Sequence, residues 1–176
     1  MLIYLNGKYM PQERASISID DRGFLFGDGV YEVTRAVRGR LFEAERHMQR
    51  LERGVRGLKM PASSFDAESL LDVANHLLAA NALHDADAIV YMQITRGAAV
   101  RTHHFPPADT PVTVFASARA FASREQLRAQ GVPAITHPDI RWARCDLKTI
   151  NLLGNVLANQ EARESGAHEA LFVRDG

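Results

Sequence analysis

The 176-residue chain is 46% hydrophobic and 24% charged, and its 21 Lys and Arg against 21 Asp and Glu give a formal net charge of zero. That balance leaves no basic footprint for general nucleic-acid binding, no apolar run approaches the roughly 20 residues of a membrane span, and the first ten residues lack the apolar stretch of a secretory signal. A single cysteine, Cys145, excludes an internal disulfide and a cysteine-based zinc site and fits a reducing, cytoplasmic setting.

The chain opens on a hairpin: Leu2–Leu5 is a short apolar strand, Asn6-Gly7 the favoured two-residue turn, and Tyr9-Met10 the return before Pro11. Residues 16–19 alternate. The segment 20–29 then places three glycines, Gly23, Gly27 and Gly29, in an aromatic stretch, which predicts a tightly turned loop against something bulky. A strand follows over 30–37, turned back by Arg38-Gly39 through Leu41-Phe42. From Glu43, the residues Ala44, Met48, Leu51, Val55 and Leu58 share one helical face until Pro61. A second helix runs from about Asp66, a fitting N-cap, through Leu70, Leu71, Ala74, Leu77 and Leu78 to about Asn81.

Two β-rich runs, 88–95 and 111–117, flank a charged loop over 96–107. The stretch 118–124 reads as a boundary, giving a small α+β domain over 1–120 and the start of a second over 121–176. Ser123 and Gln126 form a capping box for a short helix that Gly131 stops. Residues 132–136 and 140–148 read as extended, 149–164 as a helix closed by Gly166, and 168–173 as a strand.

Alternation over an extended 140–148 puts Arg144, Asp146 and Lys148 on one side, with Cys145 and Leu147 on the other. Lys148 then reads either as a solvated strand-end lysine or as a pocket amine able to form Schiff bases. Arg50 stands among Arg46, Arg53, Arg56 and Lys59, either on a solvated face paired with Glu45 and Glu52 or as a phosphate clamp. Arg101 and His103 have the spacing of two donors for a carboxylate, and Tyr31 follows the glycine segment as a core tyrosine or a site residue. His103-His104 lacks the company of a metal site, and no metal is expected.

The run from Asp21 to Glu32, reading Asp-Arg-Gly-Phe-Leu-Phe-Gly-Asp-Gly-Val-Tyr-Glu, resembles the N-terminal signature of class IV (fold-type IV) pyridoxal-phosphate aminotransferases. Arg141-Trp142-Ala143-Arg144-Cys145-Asp146-Leu147-Lys148-Thr149-Ile150-Asn151 resembles the segment carrying that family's Schiff-base lysine, and the likeness continues to Ala162. Within the family, Thr95-Arg96-Gly97 followed by Arg101-Thr102-His103 is similar to the D-amino-acid aminotransferases. Branched-chain aminotransferases and aminodeoxychorismate lyases share the fold and the lysine without this Arg-x-His, and a non-catalytic α+β module is the non-enzyme alternative.

The resemblance implies a two-domain α+β fold of the D-amino-acid aminotransferase type. Lys148 would be the catalytic lysine on pyridoxal 5'-phosphate, Arg50 the phosphate ligand, and Tyr31, Arg101 and His103 the substrate-carboxylate site. It also implies amino-acid and 2-oxo-acid substrates and a homodimer whose active sites draw on both subunits, with neither nucleic acid nor membrane as partner. Family members continue past the strand ending near Val173 into a Thr-Glu-Gly-type segment and further phosphate loops. The expectation is therefore an N-terminal portion with an incomplete second domain, inactive as an isolated 176-residue chain.

Overall fold

In the computed structural model, which describes residues 1–122 and 124–176, Asn6 and Gly7 both adopt positive φ, 48° and 84°. Their turn joins β1 (Leu2–Leu5) to β2 (Lys8–Pro11) in the register Leu2↔Pro11 to Leu5↔Lys8. Residues 16–19 join no strand. The glycine-rich segment holds a short helix, α1 (Arg22–Phe26), where the sequence predicts only a loop. Asp21 caps it, accepting from the Gly23 amide at 2.8 Å, and Gly27 ends it.

β3 (Gly29–Val37) turns into β4 (Arg40–Leu41). Then come α2 (Ala44–Gly57) and α3 (Ala67–Ala80), the latter capped by Asp66, whose Oδ1 accepts from the Ser69 amide at 3.2 Å. β5 (Ala88–Thr95) and β6 (Thr113–Ala120) complete an antiparallel sheet of order β2-β1-β6-β5-β3-β4. Strand alternation decides its faces. Val30, Glu32, Thr34 and Ala36 pair with Ile94, Met92, Val90 and Ala88 on the face covered by α2 and α3. Met48, Leu51 and Val55 of α2 meet Leu70, Val73, Leu77 and Leu78 of α3 there, each large aliphatic side chain contributing about 1.5–3 kcal/mol by burial. Gly54 lets α2 lie close to β3, because a Cβ at that position would come within 2.8 Å of Val30 Cγ1.

The residues group into two units, Met1–Ala122 with Leu147–Asn151 in the first and the rest in the second. The second unit, taken by itself, has a short helix α4 (Glu125–Gln130) preceded by Arg124; the capping box expected from Ser123 lies outside the described residues. β7 (Ala134–Pro138) and β8 (Glu169–Val173) pair in parallel, Ala134↔Glu169 to Pro138↔Val173, and α5 (Leu153–Glu164) forms the crossover that a parallel pair requires. The extended run expected over 140–148 is not a strand. Arg141 closes on Asp139 at 2.9 Å, Arg144 on Asp146 at 2.8 Å, and the Cys145 thiol donates to Trp142 O at 3.0 Å. Local side-chain bonds thus take the place of a ladder.

Candidate functional site

β4 pairs with β3 only at Ala36 and Val37, which leaves the first half of β3 with an unpaired edge whose backbone groups need partners. Leu147–Asn151 fills that edge, so α5 starts at Leu153 rather than at 149. The Tyr31 amide donates to Lys148 O and the Ile150 amide to Gly29 O, both at 3.1 Å, and Val30 bridges Thr149. Buried Leu147 anchors the segment against Gly57 at the end of α2.

This pairing seats Lys148 on Tyr31. Its Nζ lies 4.0 Å from the ring centroid, the side chain is half-buried, and the ring face attracts the ammonium. No carboxylate pairs with Lys148 among the described residues. Tyr31 in turn stacks on Tyr91, with centroids 5.7 Å apart. Burial, with Tyr31 nearby, pushes the Tyr91 phenol up to about 12, and its hydroxyl donates to Gln93 Oε1 at 2.7 Å.

One residue along β3, Glu32 points to the helix-covered face and is fully buried. Arg50 donates to it twice, Nε to Oε2 at 2.7 Å and Nη2 to Oε1 at 2.6 Å. The Val33 amide adds a bond at 2.8 Å and His47 Nδ1 lies 3.1 Å from Oε1. Burial pushes the Glu32 acid up, but the bonds from Arg50 and the Val33 amide, the Arg50 charge and His47 outweigh it, so its pKa falls below the ordinary glutamate value. The hydrogen bond to Glu32 raises Arg50 in turn. Of the two readings of Arg50, the solvated face paired with Glu45 and Glu52 is thus not the arrangement found: a buried acid demands a cation more strongly than a solvated one. Arg50 Nη1 has no partner among the described residues and the side chain is 43% exposed. A planar fork with one edge fixed on a carboxylate presents its other edge to an oxyanion such as phosphate.

Arg101 and His103 stand exposed in the loop between β5 and β6, both against Phe26 of α1. The Arg101 Cζ is 5.2 Å from the Phe26 centroid and the His103 ring 5.8 Å from it. The structure thus brings Lys148 to Tyr31, and Arg101 to His103. Among the described residues no hydrogen bond or ion pair joins the two pairs. No group of three or more metal-ligating side chains occurs among the described residues. Glu32 and His47 are not singled out by the sequence reading. The available signal is an acid at an inward position of β3, between Val30 and Thr34.

Residues 29–176 match the family described as amino-transferase class IV. The chain is similar to a D-alanine aminotransferase of Staphylococcus haemolyticus, 38% identical over 172 residues, which cover 98% of this chain and 60% of that protein. Among solved structures, the branched-chain amino acid aminotransferase of Escherichia coli superposes with a TM-score of 0.85 at 23% identity, over 99% of this chain and 60% of that one. The PLP-bound form of a hypothetical aminotransferase from Mycobacterium tuberculosis gives 0.79 at 20%, over 98% and 62%. At these identities the superpositions establish the fold. The chain spans about 60% of the length of the curated relatives it matches, and no helix among its described residues is long and apolar enough to cross a membrane.

Proposed function

The chain belongs to the class IV aminotransferases, and from that premise we propose that the protein is a pyridoxal-phosphate-dependent transaminase moving amino groups between D-amino acids and 2-oxo acids. The observation that carries this reading is the seat of Lys148, half-buried over Tyr31 on an otherwise unpaired strand edge, with no acid among the described residues holding its amine. Preference for the D-series rests on the Arg101-Thr102-His103 run and on the D-alanine aminotransferase name of its relative.

The residues present fit the cofactor. Lys148 Nζ would offer an amine to its carbonyl carbon, and Arg50, fixed by Glu32, would offer Nη1 to its phosphate. When bound, pyridoxal phosphate supplies a sink for the electron pair released at the substrate Cα. Lys148 Nζ would take the proton from the substrate Cα as general base and, as general acid, deliver it to the carbon that was the cofactor's carbonyl rather than back to Cα, which is the shift a transamination requires. Arg101 and His103 supply two donors that orient the substrate carboxylate. Because neither is bonded to the Lys148–Tyr31 pair among the described residues, we infer a homodimer whose active sites draw on both copies; the single cysteine fits a cytoplasmic setting.

The test uses the protein at its full natural length, since the 176-residue chain by itself is expected to be inactive: pyridoxal phosphate is added, the protein is reduced with borohydride, and the tryptic peptides are weighed. The same protein is then offered D-alanine or L-alanine with a 2-oxo acid acceptor. The expected result is cofactor fixed on Lys148 and pyruvate formed from D-alanine alone. Cofactor fixed on a different lysine overturns the site, and turnover of L-substrates alone moves the reading to a branched-chain type of enzyme.

A further inference from the structure

Asp28, just before β3, is gripped by two buried guanidinium groups. Arg22 Nε donates to its Oδ2 at 2.9 Å, Arg96 Nε to the same oxygen at 2.8 Å, and Arg96 Nη2 to Oδ1 at 3.1 Å. The arginine side chains are 4% and 6% exposed and the aspartate 11%. Two buried cations on one carboxylate leave donors that must find other acceptors. Arg96 finds them at the end of α2, with Nη2 on Leu58 O at 2.6 Å and Nη1 on Lys59 O at 3.3 Å, while its plane covers Phe105 at 3.8 Å. Arg22 reaches the loop after β5. Its Nη1 donates to Thr102 O at 2.7 Å and lies 3.3 Å from His104 O.

Those two carbonyls bracket His103, and Thr102 directly follows Arg101. The root of the same loop is fixed by backbone: the Arg22 amide donates to Gly97 O at 2.9 Å, the Ala99 amide to Asp20 O at 3.2 Å, and Asp21 bridges Ala98. Buried Asp21 adds bonds from Thr95 Oγ1 and Thr113 Oγ1 at 2.9 and 2.6 Å. Beyond this root the loop enters no strand. At its tip the Arg22 guanidinium bonds the backbone on both sides of His103, and within the loop Thr102 Oγ1 also donates to His104 O at 3.4 Å.

We propose that Arg22, aimed by Asp28, is a positioning residue for carboxylate capture: by holding the Thr102 and His104 carbonyls it presets Arg101 and His103 for the carboxylate of a 2-amino or 2-oxo acid. This rests on the functional reading above, which gives Arg101 and His103 that ligand. A flexible loop would have to order its donors at each encounter, whereas a pinned one presents them already placed.

The deciding variants are Arg22→Lys and Asp28→Asn, with Asn81→Ala as the comparison. Lysine keeps a cation beside Asp28, but one ammonium cannot reproduce the planar fork that spans the carboxylate and both carbonyls. Asn81 bonds the backbone of Leu2 at the far end of the sheet order and reports general destabilisation. Two readouts are taken on each variant of the full-length protein: the rate of native tryptic cleavage after Arg101, which needs no cofactor, and KM and kcat for D-alanine. For Arg22→Lys and Asp28→Asn the expected result is cleavage and KM each raised roughly tenfold with kcat within about twofold. Asn81→Ala should move neither. Faster cleavage with an unchanged KM overturns the proposal, as does unchanged cleavage. A full-length parent protein that turns over no amino acid overturns the functional reading instead, and there the cleavage rate alone decides whether Arg22 holds the loop.

Discussion

Arg50 and Glu32 meet where α2 crosses β3, with both carboxylate oxygens engaged at 2.6 and 2.7 Å and the acid wholly shut from solvent. A long, partly exposed arginine is thereby held in one orientation, so the entropy cost of ordering it falls on folding rather than on ligand binding. Glu32→Gln keeps the side-chain shape but sets an amide donor against the Arg50 donors. The expected loss is about 2 kcal/mol of stability, with cofactor affinity weakened roughly tenfold through a loosened Arg50. Thermal melts and cofactor titration of the two proteins check both numbers, and no change in either would remove Glu32 from the site.

The same pair sets an acid limit. Glu32 has a folded pKa below its ordinary value of 4.5. Its contribution is therefore complete above that value and is lost as pH falls through the depressed folded value. Stability should decline below about pH 4.5, and Glu32→Gln should flatten that decline. Asp139, lowered by its bonds to Arg141, adds to the same limb, so the comparison of parent with Glu32→Gln isolates the Glu32 share. Denaturant unfolding across the acid range provides the measurement, and parallel curves would contradict the assignment.

Gly97 carries the turn at the root of the Arg101–His103 loop. It has φ of +84°, and a Cβ there would collide with the Pro111 carbonyl oxygen. Gly97→Ala combines a left-handed conformation with a backbone clash, and about 2 kcal/mol of destabilisation is expected. Cleavage after Arg101 should rise with it, because the Arg22 amide donates to Gly97 O and a displaced turn weakens that bond. A protein melting at the parent temperature would show that the loop root relaxes freely.

The local half of this architecture was legible in the sequence. Asn6-Gly7 gives its hairpin, Asp66 its cap, and the apolar faces of α2 and α3 follow helical spacing. What required the fold were choices among competing partners. Arg50 has acids at Glu45 and Glu52 nearby in sequence, yet bonds Glu32, eighteen residues away on another element. Arg22 reaches a carbonyl eighty residues on. Periodicity reports which face a residue occupies and is silent on such pairings. It also misleads over 140–148, where Asp139, Asp146 and the Trp142 carbonyl each capture a neighbouring side chain. The position of Lys148 followed from the motif resemblance; its seat on Tyr31 followed from the unpaired edge of β3, which only the strand pairing reveals.

Lys148→Ala separates cofactor attachment from folding. The side chain contributes a ring contact to Tyr31 and no ion pair among the described residues, while its backbone makes the strand-edge bond. Stability should change by about 1 kcal/mol or less, and covalent cofactor capture under borohydride should vanish from this peptide. A large loss of stability would mean that the lysine serves the fold.

Arg101→Ala tests the carboxylate site from the opposite direction. Arg101 is exposed and its side-chain contact is the Phe26 ring, 5.2 Å from Cζ, so its removal should alter stability by no more than about 0.5 kcal/mol. If Arg101 is the charged donor of the proposed site, its loss should raise the KM for D-alanine roughly tenfold or more, while cofactor affinity, which that proposal assigns to Lys148 and Arg50, stays at the parent value. Phe26→Leu should do the same in smaller measure, since His103 and Arg101 lean on one ring and lose their common seat together. An unchanged KM in Arg101→Ala removes the carboxylate role, and a lost cofactor affinity would place Arg101 at the phosphate instead.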